Sequence, residues 1–331
     1  MRIRLPRFGM GCSGLGNLYR PVSDMESRAA LAAALRGGVR YFDTAPLYGF
    51  GLSERRLGAA LRGIPVSDLL ISTKVGRLLR PARAAPERQG FVDALPFETV
   101  FDYSADGVLS SYEASLARLR LSRVNILLAH DLGQRTHGSE SARMTADFLA
   151  GGYEAMQQLR ATGRIDAIGI GVNETRICEE LLDQVELDVI LLAGRYTLLE
   201  QGALPLLDRC ARLGVAVISG GPFNSGLLVE QPAAVVHYDY EAAPADVIQT
   251  ARRLRGICEQ FNTPLPAAAL RFPLGHPAVQ CVLPGLSAGH EVEQALAWLD
   301  QTIPPELWPA LRAAGLLAGA APLPAWVSPL Q

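Results

Sequence analysis

Eight short runs of apolar, β-favouring residues recur along this chain, and amphipathic helical stretches fill the gaps between them. The runs are Phe8 to Cys12, Val39 to Thr44, Leu69 to Val75, Val124 to His130, Ala167 to Val172, Leu187 to Ala193, Val215 to Gly220 and Val279 to Gly285. Runs apolar on both faces fit parallel strands covered by helices better than half-solvated antiparallel ones. Helical patterns lie between them at Asp24 to Arg36, Ser53 to Leu61, Tyr103 to Leu119, Phe148 to Ala161, Glu174 to Leu182, Leu204 to Leu213 and Asp246 to Phe261. Ser23-Asp24 and Ser53-Glu54 read as helix starts, and Gly37-Gly38, Gly163 and Gly214 as helix ends. Eight such units predict an α/β chain closed into a (β/α)8 (TIM) barrel, one domain over residues 1–331 with 304–331 as a C-terminal tail. An open doubly wound sheet would need about five or six strands and a glycine-rich turn opening a helix after the first. The only such spacing, Gly9, Gly11 and Gly14, falls inside the first strand with no helix opening there, so it is a weak dinucleotide signal.

In a barrel of this kind the loops after the strands build the active site at the C-terminal mouth. Two of these are long, Arg77 to Thr99 and Arg135 to Met144, and are expected to form a lid or a substrate wall. The tail from Pro304 carries Trp308, Trp326 and five prolines up to Pro324, and reads either as a cover for the mouth or as packing outside it.

Composition narrows the function classes. With 49% hydrophobic and 19% charged residues, the 331-residue chain can bury a large core. A net charge of -2 and a pI near 6.2 give no basic field for nucleic acid or an anionic membrane. The N-terminus lacks an apolar signal core, and nothing supplies the roughly 18 apolar residues of a membrane span, so a cytoplasmic protein is expected. The five cysteines show neither a CxxC nor a zinc spacing, so reduced thiols and no metal are expected. No feature fixes an oligomeric state.

Lys74 is the only lysine among 31 basic residues. The Arg-, Ala- and Leu-rich composition suggests pressure towards GC-rich codons, under which lysine persists where arginine will not serve. Arginine stays charged below about pH 12, whereas lysine presents one compact ammonium whose pKa can shift. Three consecutive strands each end on a polar group: Asp43 in Tyr41-Phe-Asp-Thr-Ala-Pro-Leu-Tyr-Gly49, Lys74 in Ile71-Ser-Thr-Lys-Val75, and His130 in Ile126-Leu-Leu-Ala-His-Asp131. Each alone could be structural. Their equivalent placement, with Tyr48 just past Asp43, makes them a candidate catalytic set.

At these residues the chain resembles the aldo-keto reductases. The motifs are Asp43-Thr-Ala-Pro-Leu-Tyr-Gly49, Thr73-Lys-Val-Gly76 and Leu127-Leu-Ala-His130, joined by Ala193-Gly-Arg-Tyr-Thr-Leu-Leu-Glu-Gln201, Leu270-Arg-Phe272 and Val282-Leu-Pro-Gly285. The likeness runs from about Leu5 to Leu299. It implies a nicotinamide-dependent oxidoreductase in which Tyr48 is the acid/base, Lys74 tunes it, Asp43 holds Lys74, and His130 aligns the substrate oxygen. A free phenol of pKa about 10 suits neutral pH poorly, and a nearby ammonium would favour the phenolate.

The resemblance also implies cofactor contacts. Asn173 would grip the carboxamide, and Ser219, Gly220, Gly221, Pro222 and Phe223 would line the pyrophosphate loop. The family's strand-six Gln is Ala193 here and its stacking Tyr falls at Gly220, with Phe223 the nearest aromatic replacement. In the adenosine clamp, Leu283-Pro-Gly-Leu-Ser-Ala-Gly-His-Glu291, the basic positions of NADP-preferring members read Gly285 and Glu291, with Ser287 between them. A carboxylate repels a 2′-phosphate but accepts hydrogen bonds from a free ribose diol, so NAD is the expected cofactor, with NADP possible. Glu291 as a plain helix-start residue is the alternative.

Gly14-Leu-Gly-Asn-Leu-Tyr19, Leu95-Pro-Phe97 to Phe101-Asp-Tyr-Ser104 and His130-Asp131 look like the branch holding D-threo-aldose 1-dehydrogenase, L-fucose dehydrogenase and pyridoxal 4-dehydrogenase. That likeness implies a small sugar or aldehyde substrate, with oxidation of a C1 hemiacetal to a lactone. Asn17, Tyr19, Phe50 and Asp131 are the expected substrate contacts. An NADPH-dependent carbonyl reductase and a nucleotide-sensing subunit without turnover are the alternatives.

Overall fold

A strand apolar on both faces is stable only where helices cover one face and other strands' side chains fill the other. The computed structural model, which describes residues 3–229, 237–239 and 241–325, meets that condition eight times. Its parallel strands are β1 (Met10–Gly11), β2 (Tyr41–Asp43), β3 (Leu70–Val75), β4 (Ile126–His130), β5 (Ala167–Val172), β6 (Val189–Ala193), β7 (Ala216–Gly220) and β8 (Val279–Leu283), adjacent in that order. Bridges Phe8 to Val282 and Gly11 to Gly285 close β8 onto β1, so the expected (β/α)8 barrel is the fold. Five of the strands are a residue or two shorter than their apolar runs, β1 and β2 are three shorter, and β5 matches its run.

The period of two sorts the side chains into two cores. Ile126 and Leu128 of β4 point into the barrel with Tyr41, Val189, Leu191, Ile218 and Leu283. Leu127 and Ala129 point out, under the helices. Those helices are α1 (Asp24–Arg36), α2 (Leu52–Ala60), α3 (Ala105–Leu119), α4 (Tyr153–Ala161), α5 (Arg176–Leu182), α6 (Leu204–Leu213), α7 (Ala245–Gln260) and α8 (Gly289–Asp300). Ser23 and Glu26 form a reciprocal cap at the start of α1, and Gly214 ends α6 in the left-handed conformation. The GxGxxG-like stretch leads into a single 3-10 turn, Gly14–Gly16, and α1 begins only at Asp24.

Loops at the mouth are more ordered than their composition suggests. Arg77–Pro81 pairs antiparallel with Phe97–Phe101, and inside that hairpin Glu87–Arg88 pairs with Phe91–Val92. This double hairpin forms a wall after β3, and a bridge from Phe91 to Leu18 ties it to the loop after β1. The described part of the tail packs outside the barrel. Its helix Leu307–Ala313 lies on α7, Trp308 is buried near Phe272, and Arg253 donates to the carbonyl of Ala314 at 2.7 Å. Trp326 lies outside the described residues. Among the described residues no helix is long and apolar enough to cross a membrane, and no group of side chains forms a metal site.

Candidate active site

Strands β2, β3 and β4 place Asp43, Lys74 and His130 side by side at the mouth. Lys74 is almost fully buried, an arrangement that demands a partner for its ammonium. Its Nζ donates to Asp43 Oδ2 at 2.6 Å, to the Thr44 carbonyl at 2.9 Å and to the Tyr48 hydroxyl at 3.0 Å. The three rotatable N–H bonds of an ammonium can serve these three acceptors, whereas a planar guanidinium could not. Room for the lysine stem comes from β5: a Cβ on Gly171 would lie 3.2 Å from Lys74 Cε.

Tyr48 reaches back to Lys74 because tight turns follow β2. Its N–H bonds the Ala45 carbonyl at 3.1 Å, and its own carbonyl accepts from Ser53 N–H at 3.2 Å. Gly16 lets the loop after β1 pass close behind, since a Cβ there would come within 2.5 Å of the Tyr48 backbone. The His130 ring stands nearly perpendicular to the Tyr48 ring with centroids 6.0 Å apart. A substrate oxygen between the two rings can therefore meet both side chains.

The far oxygen of Asp43 is also engaged. Ser72 Oγ donates to Asp43 Oδ1 at 2.6 Å, and the Tyr41 hydroxyl lies 2.9 Å from Ser72 Oγ. Ser72 and Tyr41 were not singled out from sequence. Their inward orientation in the registered pair β2–β3 was the available signal.

Electrostatics assign the resting protonation states. Burial pushes the Tyr48 phenol well above its ordinary range, Asp43 and Asp131 add to the effect, and Arg77 opposes it. Together these outweigh what the Lys74 ammonium contributes from 3.0 Å, so the resting phenol is protonated. Burial, with Arg77 and Lys74 nearby, holds His130 well below its ordinary value. Its Nε2 lies 3.3 Å from Asp131 Oδ2. Its Nδ1 is buried with no partner among the described residues. In its Nε2–H tautomer the neutral imidazole, with the protonated phenol, gives two donors for one carbonyl oxygen.

The expected cofactor residues line one side of the mouth. Asn173, half-buried just past β5, has a side-chain amide with no hydrogen bond to another described residue, as a carboxamide partner requires. Gly221 is exposed with a left-handed φ of 59° and open space where a Cβ would stand, and Gly285 is exposed across from it on the loop after β8. A backbone surface of this kind lets a diphosphate approach closely, so the residues fit a dinucleotide. Ser219 Oγ is committed to the Tyr196 carbonyl at 2.9 Å, leaving Gly220 and Pro222 as backbone lining. Phe223 is buried edge-on against Trp298 of α8, and so anchors the loop instead of offering a stacking face. Glu291 Oε2 accepts from the backbone N–H groups of Ser287 at 2.7 Å and Ala288 at 3.1 Å, and from Ser287 Oγ at 3.1 Å. Arg20, from the loop after β1, donates to the same Ser287 hydroxyl at 3.0 Å.

The expected substrate contacts divide. Asn17 is buried, its Oδ1 taken by Val22 N–H at 3.1 Å and by Arg56 at 2.8 Å, so it shapes its loop and has no free acceptor. Phe50 has no exposed surface; its ring meets Phe91 edge-on beneath the hairpin wall. Tyr19 stays 40% exposed, and Asp131 opens onto the mouth with 14% of its side chain exposed.

The sequence profile of the aldo/keto reductase family matches residues 7–315. The chain belongs to the aldo/keto reductase family. It is 40% identical over 322 residues, 94% of each chain, to a pyridoxal 4-dehydrogenase of Microbacterium luteolum. To a D-threo-aldose 1-dehydrogenase of Pseudomonas it is 37% identical over 325 residues, 95% of each chain. Among solved structures, a glycerol dehydrogenase of Gluconobacter oxydans superposes with a TM-score of 0.72 at 20% identity, covering 97% of this chain and 94% of that one, a likeness of fold. As an aldo/keto reductase, the protein is a nicotinamide-dependent oxidoreductase.

Sequence reasoning missed Arg77. It follows the Thr73-Lys-Val-Gly76 motif directly, which puts it on the mouth, but only the fold shows it paired with Asp131 beside His130.

Proposed function

We propose that this aldo/keto reductase is an aldose 1-dehydrogenase that prefers NAD and oxidises the C1 hemiacetal hydroxyl of L-fucose or another D-threo-aldose to a lactone. The observation that carries the reading is Lys74 Nζ within hydrogen-bond reach of both Asp43 and the Tyr48 hydroxyl, in a mouth where His130 offers a second polar group. When bound, the nicotinamide supplies the acceptor for the C1 hydride. Tyr48 takes the hydroxyl proton, which requires the phenolate, and Lys74 stabilises that form through its 3.0 Å contact. His130 Nε2–H holds the substrate oxygen as carbonyl character develops on it. Asp43, Tyr48, Lys74 and His130 are the catalytic set, with Asn173, Gly220, Gly221, Pro222, Gly285, Ser287 and Glu291 around the dinucleotide.

The NAD preference rests on Glu291. The amides of Ser287 and Ala288, just before α8, form an anion site at its N-terminus, and Glu291 fills it with the chain's own carboxylate. A 2′-phosphate would have to displace that carboxylate, whereas a ribose diol can donate to it.

The relative that is 40% identical supports a second reading, oxidation of pyridoxal at its own hemiacetal carbon. NADH formation with NAD or NADP, measured across L-fucose, D-arabinose, L-galactose, D-glucose and pyridoxal, separates the two. Aldose-dependent NADH that Tyr48→Phe lowers by roughly 10²- to 10⁴-fold supports the first reading. Turnover of pyridoxal alone replaces it with the second, and turnover of neither leaves a carbonyl reductase or a nucleotide-binding subunit.

A further inference from the structure

Beside the catalytic set lies a carboxylate held from several sides. Asp131 has a left-handed φ of 52°, and its N–H bonds the Gly171 carbonyl at 2.8 Å. Tyr103, whose hydroxyl lies 3.1 Å from His137 Nε2, donates to the preceding carbonyl of His130 at 2.5 Å. Arg77 pairs with Oδ2 while its guanidinium lies 4.8 Å from the Phe101 ring centroid on the hairpin wall. His130 Nε2 lies 3.3 Å from the same oxygen. Oδ1 has no hydrogen-bond partner among the described residues, and the side chain opens onto the mouth.

A carboxylate accepts hydrogen bonds and donates none. Asp131 Oδ2 sits one hydrogen-bond length from Nε2, the group that would hold the reacting oxygen. Oxygens on neighbouring carbons are separated by a similar span. We propose that Asp131, fixed by Arg77, is a specificity-determining residue that accepts a hydrogen bond from a hydroxyl on the carbon next to the reacting one, selecting 2-hydroxylated carbonyls and their hemiacetals over plain aldehydes. This deepens the oxidoreductase reading by naming the substrate class. It does not require that the physiological substrate be an aldose. A substrate lacking that hydroxyl leaves a desolvated carboxylate oxygen without a donor, which disfavours it roughly tenfold to hundredfold.

Lactaldehyde and propanal differ only in the 2-hydroxyl, and their reduction with NADH or NADPH isolates this contact. The wild-type protein should prefer lactaldehyde in kcat/KM by about tenfold to hundredfold. Glycine and asparagine both tolerate the left-handed backbone, so neither variant is strained at that φ. Asp131→Gly should bring the preference within about threefold, with Asp131→Asn between, while circular dichroism confirms folding. Variants that slow both aldehydes equally with the ratio kept, a wild-type protein with no preference, or turnover of neither aldehyde would overturn the proposal. Failure to oxidise any aldose would remove the aldose reading and leave this ratio standing. An unchanged ratio would remove the present inference and leave aldose oxidation standing.

Discussion

Replacing Lys74 with methionine tests the centre of the site, because it keeps the length of the side chain and removes the charge. Both members of the Lys74–Asp43 pair are almost fully buried and 2.6 Å apart. Losing one partner of such a pair leaves an uncompensated buried charge, at a cost of about 3–5 kcal/mol. With an unfolding entropy of about 2.1 cal/mol/K per residue, a chain of 331 residues loses stability at ~0.7 kcal/mol per kelvin near Tm, so Lys74→Met should lower Tm by roughly 4–7 °C. Ser72 still donates to Asp43 Oδ1 at 2.6 Å, which favours the lower half of that range. Adding Asp43→Asn removes the stranded charge, and the double variant should return to within about 1–2 kcal/mol of wild type. Activity should not return with it, because the Tyr48 hydroxyl has lost its 3.0 Å donor in both proteins. Differential scanning calorimetry and single-turnover oxidation give the two readouts. A Tm change below about 1 °C in Lys74→Met, or a double variant as unstable as the summed singles, would refute the argument.

Three further outcomes follow from the same geometry. Because burial and two carboxylates raise the Tyr48 phenol, which must be deprotonated to act as base, oxidative kcat/KM should climb from pH 7 through pH 10; reduction, which uses the protonated form, should hold over that range, and an oxidative plateau below pH 8 would contradict the assignment. Ser72→Ala strands the buried Tyr41 hydroxyl and one oxygen of Asp43, so denaturant unfolding should show a loss of about 2–4 kcal/mol; adding Tyr41→Phe should recover about 1 kcal/mol of it. Glu291→Gln removes the carboxylate that fills the α8 N-terminus, and the ratio of NADP to NAD dissociation constants, read by nucleotide fluorescence, should fall by roughly tenfold; an unchanged ratio would place the cofactor preference elsewhere.

Architecture and chemistry differed in how legible they were from the chain alone. Eight apolar runs alternating with helical patterns determine a closed barrel, since strands buried on both faces must be covered outside and filled inside. That pattern also put Asp43, Lys74 and His130 at one end of three neighbouring strands, because side chains at equivalent positions of parallel strands emerge at the same level. The lone lysine marked the residue that three acceptors converge on. Where side chains leave loops, the order of residues carried less. Asn17, Phe50 and Phe223 sit in mouth loops, yet two are turned inward to anchor them and the third is saturated by Arg56 and Val22. The pairing of Arg77 with Asp131 joins a hairpin after β3 to a residue after β4, which no local pattern specifies. The direction of the Tyr48 shift was likewise decided by tertiary structure: burial and the carboxylates of Asp43 and Asp131 outweigh what a nearby lysine contributes. Here packing buries that phenol and gives the ammonium to Asp43.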